Sequence, residues 1–266
     1  MRYKELLMIA QSTWRFLNSH TGTAQRNMAV DEALLVNFKE GDMPILRLYG
    51  WENALSVGRY STLWRSLNQQ TVQEENIPCI RRMSGGGILV HGGDLSYSLI
   101  MPRDWLREKG IKESYHTLCA FLINVYQKLG YEANFSGDQR ADVLRSDICL
   151  AGNEVYDIQI DGKKMGGNAQ RYIRHALFQH GSIPMRIDES FFTPFFTKDP
   201  GFENAATLER LGTEISYEEL AALVQETFCE TFEVELINDM LNLSEEQCAI
   251  ELDKKKYSQE SWNYDS

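Results

Sequence analysis

Five glycines within eighteen residues constrain this chain more than any other feature of its sequence. Residues 81–98 combine them with two arginines, a serine and a histidine: Arg81, Arg82, Ser84, Gly85, Gly86, Gly87, His91, Gly92 and Gly93. Strand-like residues precede this stretch at 78–80 and follow it at 95–100, where the alternation predicts a half-buried strand. Because consecutive glycines cost folding entropy, a tight turn alone rarely explains them. The pattern favours a loop whose backbone amides approach a ligand over a plain hairpin connection.

The composition is that of a folded domain. A chain of 266 residues fits one large α/β domain, or one domain with a small appendage, and 43% hydrophobic residues are ample for a core. No apolar run reaches the roughly eighteen residues of a membrane helix, and Glu5 interrupts the apolar stretch near the N-terminus. Five scattered cysteines predict reduced thiols and a cytoplasmic location.

The net charge of −11 argues against general nucleic-acid binding, which needs a basic face. An acidic carrier protein would have to meet a local basic patch. The best candidate is the window Lys163, Lys164, Arg171, Arg174 and His175. For all of these except Lys164, solvated charges at a hairpin tip are nearly as good an explanation.

Periodicity places the other segments. A turn over residues 18–23 is expected to lead into a helix over 27–39, with Asp31 and Glu32 in its first turn near the positive end of the helix dipole. Trp51 fits a pocket wall or the core equally well. The other predicted elements are strands over residues 14–17, 45–49, 54–58 and 176–181 and helices over residues 71–77, 113–129, 217–230 and 245–256, with Cys119 as a core residue of the helix over 113–129.

A second block also points to function. Asp161 and Gly162 are the strongest two-residue signal for a hairpin between strands. The return strand then begins at Lys163, and Gly166 and Gly167 allow its backbone to approach another group closely.

These motifs resemble those of the lipoate/biotin protein ligase superfamily, and within it the lipoate-protein ligase A and octanoyltransferase branch. Residues 81–91 match the pattern Arg-Arg-x-Ser-Gly-Gly-Gly-x-x-x-His. Residues 164–170 and 179–182 are similar to the motifs Lys-x-x-Gly-x-Ala-Gln and Gln-His-Gly-Ser/Thr. The resemblance covers residues 12–264 and implies a single catalytic domain with no C-terminal accessory domain. It also implies the α/β fold of class II aminoacyl-tRNA synthetases and biotin ligases, a mixed, largely antiparallel sheet flanked by helices.

The resemblance also implies the site. Lys164 matches the family lysine that binds the acyl carbonyl, where a cation stabilises charge developing on oxygen. Substrate contacts are implied for Arg81, Arg82, Ser84, Gly85, Gly86, Gly87, His91, Gly167, Asn168, Ala169, Gln179, His180 and Gly181. The two arginines could hold a phosphate or a carboxylate, or simply anchor the loop. Neither histidine receives a proton-transfer role, and no metal site is predicted.

Cys149 bears on which reaction the chain performs. Family ligases activate lipoate with ATP, whereas octanoyltransferases take octanoate through a cysteine thioester. Cys149 lies fifteen positions before Lys164, with Tyr156 and Asp157 between them, and this spacing resembles one octanoyltransferase type. A nearby lysine would lower the pKa of the thiol and make it reactive. The alternative is a small buried thiol.

We favour an octanoyltransferase that moves an octanoyl or lipoyl group from octanoyl-acyl carrier protein, through Cys149, to a lysine of a lipoyl carrier domain. The resemblance implies the E2 subunit of a 2-oxoacid dehydrogenase or the glycine cleavage H protein as that carrier. The first alternative is an ATP-dependent lipoate-protein ligase, which could need a separate accessory subunit. The second is a non-catalytic module that binds acyl groups or carriers. No permanently bound cofactor is predicted, and only the ligase would use ATP and Mg²⁺.

Overall fold

The structure is a computed structural model that describes residues 12–138 and 157–265. Cys149 and Tyr156 lie outside these residues. The strands of the described ranges are β1 (Thr13–Gly22), β2 (Ile45–Trp51), β3 (Ala54–Val57), β4 (Cys79–Arg81), β5 (Ile88–His91), β6 (Asp94–Pro102), β7 (Ala133–Phe135), β8 (Ile158–Ile160), β9 (Lys163–Lys164), β10 (Gly167–Tyr172), β11 (Ala176–Pro184) and β12 (Glu235–Asn238). The α-helices are α1 (Ala24–Asn37), α2 (Gln69–Glu74), α3 (Ile111–Leu118), α4 (Ala120–Lys128), α5 (Glu189–Phe192), α6 (Tyr217–Phe232), α7 (Leu243–Leu252) and α8 (Glu260–Asn263).

A six-stranded sheet forms the centre of the fold. Its order is β10-β11-β6-β2-β1-β12, antiparallel as far as β2 and parallel from β2 to β12. Two three-stranded sheets accompany it, in the orders β4-β3-β5 and β7-β8-β9. The predicted fold, a mixed sheet flanked by helices, is therefore confirmed.

Both faces of the six-stranded sheet are covered. On one face α4 and α6 meet, and the rings of Phe121 and Phe228 lie edge to face with centroids 5.3 Å apart. On the other face α1 covers Ile100 and Phe178 and packs against α7. The prediction of a half-buried strand over residues 95–100 was wrong, because β6 is buried on both faces.

Helix α1 begins earlier than its periodicity predicts. The hydroxyl of Thr23 accepts a hydrogen bond from the backbone N–H of Arg26 at 3.3 Å and caps the helix, which therefore starts at Ala24 and not at Asn27. Asp31 and Glu32 lie in the middle of the helix, so their predicted first-turn role was wrong. Asp31 is fully buried and contacts the central sheet.

The amphipathic segment over residues 113–129 is two helices and not one. Helix α3 ends at Leu118 and α4 begins at Ala120, with Cys119 between them at φ −92° and ψ 1°. The hydroxyl of Thr117 bonds back to the carbonyl of Glu113 at 2.8 Å, a contact that often bends a helix. Cys119 is buried in the core, as predicted.

Two local signals are confirmed. Asp161 and Gly162 join β8 to β9 with φ values of 51° and 74°, the positive values that a tight hairpin turn requires. The side chain and backbone of Ser216 pair reciprocally with Glu219 in a capping box at the start of α6. No helix within residues 12–138 and 157–265 has the length and apolar character needed to cross a bilayer.

Candidate active site

The Gly-rich loop joins β4 to β5 and packs closely against Gly58. A Cβ atom on Gly58 would lie 1.8 Å from the carbonyl oxygen of Gly86. From inside the loop, the guanidinium of Arg82 donates to the carbonyls of Gly85 at 3.2 Å and Gly87 at 2.8 Å. The loop is therefore a fixed structure and not a loose hairpin connection.

Arg81 supports this loop from the side away from the cavity. Its Nη1 atom donates to the carbonyls of Gly58, Arg59 and Ser61 at 2.9 to 3.2 Å, and its Nε atom donates to the carbonyl of Trp262 at 3.1 Å. The indole N–H of Trp262 donates back to the carbonyl of Arg81 at 2.9 Å. Arg81 is 2% exposed and is not among the residues lining the cavity described next.

A cavity of about 390 Å³ lies between the Gly-rich loop and strands β10 and β11. Nine of the residues that the sequence predicted as substrate contacts line it: Arg82, Gly85, Gly86, His91, Gly167, Asn168, Ala169, His180 and Gly181. The two separated motifs are thus brought together around one space. Its other lining residues are Tyr49, Trp51, Leu89, Ser96 and Ser182.

The sequence left Trp51 undecided between pocket and core and did not point to Leu89 or Ser96. Ser182 ends the Gln-His-Gly-Ser/Thr motif, but neither it nor Tyr49 was predicted as a substrate contact. Ser96 and Ser182 are paired directly across β6 and β11. Neither strand's sequence shows which of its polar residues face the cavity, because the register that pairs the two serines depends on how the strands are aligned.

One wall of the cavity is an ordered polar network around His91. The Nδ1 atom of His91 lies 3.0 Å from Oδ2 of Asp94, and Nε2 lies 2.7 Å from Oγ of Ser56. The Ser56 hydroxyl also accepts from Arg82 at 2.8 Å. The ring stacks on Trp51 with centroids 4.0 Å apart and an interplanar angle of 17°. These contacts hold the imidazole and the indole in fixed positions.

Asp94 anchors this network as a carboxylate. Burial would raise the pKa of Asp94, but the His91 ring and hydrogen bonds from His91, Ser182 and Gly92 outweigh burial and hold that pKa below its usual value. The hydroxyl of Ser96 also donates to Asp94 at 3.0 Å and in turn accepts from the Trp51 indole at 2.9 Å.

A second network joins the loop to the central sheet. Oγ of Ser84 lies 2.5 Å from Nε2 of His180, and Nδ1 of His180 lies 3.8 Å from Oδ2 of Asp31. Burial, together with the nearby Arg82 guanidinium and the His91 ring, places the pKa of His180 well below its usual value, so the His180 ring is neutral near pH 7.

Asp31 is held by three side chains of the sheet. Arg47 donates to it at 2.7 Å, and Tyr49 and Ser98 each donate at 2.9 Å. Burial nevertheless raises the pKa of Asp31 above its usual value, against the opposing effect of Arg47. The available signal was the alternation of Arg47 and Tyr49 on β2. The sequence alone does not show that both side chains contact Asp31 on α1.

Lys164 is a buried cation with a buried partner. Its Nζ atom lies 2.6 Å from Oδ2 of Asp157, and both side chains are 3% exposed. Lys164 does not itself line the cavity, but Gly167, three residues later, does. Between them Gly166 adopts φ +77°, and a Cβ atom there would lie 2.0 Å from the carbonyl oxygen of Ser182. The predicted close approach of this backbone is confirmed.

The remaining predicted contacts lie just behind the cavity wall. The Gln179 amide donates to the hydroxyl of Tyr97 at 2.9 Å, and that hydroxyl donates to Oδ1 of Asn168 at 2.7 Å. A Cβ atom on Gly181 would lie 2.2 Å from the same oxygen, so only glycine fits there. Gly87 accepts from Arg82, and Ser84 contacts His180, as described above.

The predicted basic window is spread over two places. Lys163 is exposed at the β8–β9 hairpin, and Lys164 is buried. Arg171 donates to the carbonyl of Met83 at 2.6 Å, immediately before the Gly-rich loop. Arg174 and His175 lie in the turn between β10 and β11.

The arrangement suits a ligand with an elongated chain that ends at a polar reacting group. Glycine backbone borders the space on both sides, and the loop is fixed before any ligand arrives.

Residues 23–230 of the chain match the family model described as the lipoyl protein ligase A/B catalytic domain. The chain belongs to this family.

Relatives with similar sequences match nearly the whole chain. The octanoyltransferase LipM of an Exiguobacterium species is 32% identical over 273 residues, covering 94% of this chain and 98% of the relative. LipM of Kyrpidia tusciae is 31% identical, with 95% and 98% covered, and LipM of Bacillus subtilis is 28% identical, with 96% and 99% covered. Protein lipoylation as the function and an acyltransferase as the enzyme class, both predicted from the motifs, are confirmed.

Solved structures with the same fold include lipoate-protein ligases. Lipoate-protein ligase A bound with ATP is 25% identical, with a TM-score of 0.81 over 95% of this chain and 98% of the other. A lipoate protein ligase from T. acidophilum with bound lipoic acid is 26% identical, with a TM-score of 0.82 over 95% and 98%. The bipartite ligase of Thermoplasma acidophilum, studied with its E2 lipoyl domain, is 25% identical, with a TM-score of 0.80 over 96% and 97%.

Proposed function

We propose that this chain is an octanoyltransferase that takes an octanoyl group from an acyl carrier protein thioester and delivers it to a lysine of a lipoyl carrier domain. The observation that carries the proposal is similarity over more than nine-tenths of the chain to octanoyltransferases, with Cys149 fifteen residues before Lys164. We also propose that the whole range 12–264 is one catalytic domain and that it works in the cytoplasm.

The reaction has two acyl transfers. In the first, the Cys149 thiolate attacks the thioester carbonyl, the carbon–sulfur bond to the carrier breaks, and the carrier leaves as its thiolate, which takes a proton from water. In the second, the neutral acceptor lysine amine attacks the enzyme thioester, an amide forms, the carbon–sulfur bond to Cys149 breaks, and the proton lost by the amine passes to solvent as the Cys149 thiolate is released. Neither step consumes ATP, because the thioester already supplies an activated carbonyl.

The cavity between the Gly-rich loop and β10–β11 is the proposed acyl site. Glycine backbone from the Gly-rich loop and from β10 borders this cavity, so an acyl group can approach the main chain closely. The networks around His91 and His180 hold the cavity walls in place. We assign both histidines a positioning role and no proton transfer.

Lys164 is the proposed electrostatic catalyst. Its Nζ atom pairs with the carboxylate of Asp157 at 2.6 Å in the interior. In the proposed mechanism this cation acts on the reacting carbonyl, where a fixed positive charge would stabilise the negative charge that develops on oxygen without any reorganisation. A cation near a cysteine also favours the thiolate over the thiol, which is the form that Cys149 needs.

Two observations define the alternatives. The fold is shared, at TM-scores of 0.80 to 0.82, with ligases that bind ATP or lipoic acid, so an ATP-dependent ligase is the second candidate. ATP and Mg²⁺ belong to that candidate alone. A non-catalytic binding module is the third candidate, and Lys164 with its buried partner supports catalysis instead.

The deciding experiment is intact-mass analysis after mixing the protein with octanoyl-acyl carrier protein without ATP. The wild-type protein and a Cys248→Ala control are expected to gain an octanoyl adduct that hydroxylamine removes, whereas Cys149→Ala gains none. Transfer to a lipoyl domain is expected to be lost in both Cys149→Ala and Lys164→Met. Transfer that requires lipoate and ATP, and that survives in Cys149→Ala, would identify a ligase.

A further inference from the structure

Three cations lie together beside the Gly-rich loop. The ammonium of Lys256 lies 3.8 Å from the centre of the Trp262 ring, and the guanidinium carbon of Arg59 lies 5.1 Å from the same ring. Arg171 is close enough to affect Lys256 as well. Burial, with the positive charges of Arg171 and Arg59, lowers the pKa of Lys256 although Glu32 opposes this. We call Arg59, Arg171 and Lys256 the basic cluster.

The basic cluster is attached directly to the loop that borders the acyl cavity. The backbone N–H of Arg59 donates to the carbonyl of Ser84 at 2.8 Å. Arg171 donates to the carbonyl of Met83 at 2.6 Å, and the neighbouring Ser61 hydroxyl donates to the carbonyl of Gly86 at 2.8 Å. Charges in the cluster therefore lie at the outer side of the candidate active site.

Within the described residues, carboxylates neutralise only part of the cluster. Lys256 pairs with both carboxylate oxygens of Glu32, at 2.6 and 2.8 Å. Arg59 and Arg171 form no ion pair in the described parts of the chain. Such a concentration of like charge is unexpected in a protein of net charge −11, because repulsion between neighbouring cations is unfavourable without a compensating anion.

An exposed aromatic ring adjoins the cluster. Tyr60 is 85% exposed, and the guanidinium carbon of Arg59 lies 5.8 Å from its ring centre. Tyrosine and arginine are the residue types enriched among those that contribute most to protein–protein binding. The combination indicates a protein partner with a negatively charged surface.

We infer that the basic cluster and Tyr60 are the docking surface for the acidic carrier protein that delivers the acyl thioester. The inference rests on the proposed function and adds the place where the donor binds. An acidic donor is repelled by the net charge of the enzyme, so a local positive surface beside the cavity both attracts it and orients its thioester towards the loop. Guanidinium groups suit this role because they bind carboxylates in pairs of hydrogen bonds.

The test compares two octanoyl donors on the same variants. One donor is the octanoyl-acyl carrier protein, and the other is octanoyl-N-acetylcysteamine, a small uncharged thioester. Arg59→Glu is expected to lower kcat/KM with the carrier donor about tenfold at low salt, since electrostatic steering raises association rates by 10-fold or more. Activity with the small thioester is expected to stay unchanged. Tyr60→Ala is also expected to lower kcat/KM with the carrier donor. Added salt should lower this kcat/KM more for the wild-type protein than for Arg59→Glu.

Lys128→Glu is the control for net charge. Lys128 lies on α4, where it pairs with Glu226, and its replacement by glutamate changes the net charge by the same amount as Arg59→Glu does. It is expected to leave both donors unaffected. Equal losses with the two donors in Arg59→Glu would indicate damage to the loop and would overturn the docking surface. The docking surface would also be overturned if Lys128→Glu lowered kcat/KM with the carrier donor as much as Arg59→Glu does. A third contradicting result would be an effect of Arg59→Glu on the acceptor lipoyl domain alone.

A binding measurement separates this inference from the proposed function. The fluorescence anisotropy of labelled carrier protein reports binding without chemistry, and Arg59→Glu is expected to raise its Kd. If wild-type protein binds the carrier through Arg59 yet forms no acyl adduct, the proposed function fails and the docking surface stands. If Arg59→Glu binds the carrier as tightly as the wild-type protein does, the docking surface fails.

Discussion

The ammonium of Lys164 and the carboxylate of Asp157 form an ion pair at 2.6 Å in which each side chain is 3% exposed. Removing two charges from water is costly, and only a short, well-formed contact offsets that cost. Two residues that lie seven positions apart across the β8–β9 hairpin thus form a short ion pair in the interior. Loss of either partner removes this contact from a side chain that stays buried.

We therefore expect Asp157→Ala to lower the free energy of unfolding by about 3–5 kcal/mol, as is usual when one partner of a buried pair is removed. Urea denaturation measures this change. The double variant Asp157→Leu/Lys164→Met is expected to recover much of the stability, because no charge remains buried, but to recover no acyl transfer. A single variant as stable as the wild-type protein would show that the pair is solvated.

The neutral His180 predicts a loss of stability in mild acid. The pKa of this buried ring lies well below its usual value of 6.5, so between these two values the unfolded chain binds more protons than the folded protein. The stability that the neutral His180 ring contributes is complete above pH 6.5. As the pH falls below 6.5, the free energy of unfolding decreases by at most about 1.4 kcal/mol per pH unit.

Thermal unfolding at pH 7.5, 6.5 and 5.5 measures this dependence. We expect His180→Gln to weaken the decline on acidification, whereas His20→Asn, at an exposed position with φ +50°, should leave it unchanged. An identical decline in the wild-type protein and His180→Gln would assign it to other groups.

Gly58 and Gly85 are expected to respond differently to alanine. A Cβ atom on Gly58 would overlap the carbonyl of Gly86, so Gly58→Ala must displace the Gly-rich loop. Forcing an atom into a packed site typically costs about 1–3 kcal/mol. A Cβ atom on Gly85 has no heavy atom within 4 Å, and Gly85→Ala should keep wild-type stability. Denaturant unfolding measures the free energy of unfolding of the two variants. Equal values would show that the loop can shift away from residue 58 without loss of stability.

Trp262→Phe is expected to loosen the loop through Arg81. The substitution keeps an aromatic ring but removes the indole N–H that donates to the carbonyl of Arg81 at 2.9 Å. Loss of one such hydrogen bond costs about 0.5–1.5 kcal/mol. Trp64→Phe is the control, because Trp64 is also half-buried and lies beside another aromatic ring, that of Tyr264. Hydrogen exchange of the loop amides should rise in Trp262→Phe and stay at the wild-type rate in the control.

Features set by neighbouring residues could be predicted from the sequence. The Asp161–Gly162 hairpin and the Ser216 capping box depend on contacts within a few positions, and both are confirmed. The two site motifs could also be recognised, because each keeps its residue types at fixed spacing. The family resemblance implied that the two motifs form one site, whereas the hydrophobic periodicity of the sequence did not.

Features set by distant partners could not be predicted in this way. The sequence predicts Asp31 in the first turn of a helix, but Thr23 caps the helix earlier and Arg47 binds Asp31 in the core. For Arg81 the sequence allows a phosphate or carboxylate contact or an anchor of the loop, but it does not identify the acceptors, among them the carbonyl of Trp262, 181 positions away. Pairings of this kind depend on how the elements are packed, and no local pattern encodes them. The roles of Cys149 and Lys164 in the reaction stay predictions.

The contacts between Arg81 and the pair Trp262 and Asn263 also have a consequence for biosynthesis. The backbone N–H of Arg81 donates to the side-chain oxygen of Asn263 at 3.0 Å, so the loop gains this support from residues translated after the rest of the site. A nascent chain that has already emerged as far as β12 contains both motifs and all the strands of the central sheet, yet it lacks this support. Completion of the site is therefore coupled to the translation of residues beyond β12, and ribosome-bound chains stalled before residue 262 should fold without completing it.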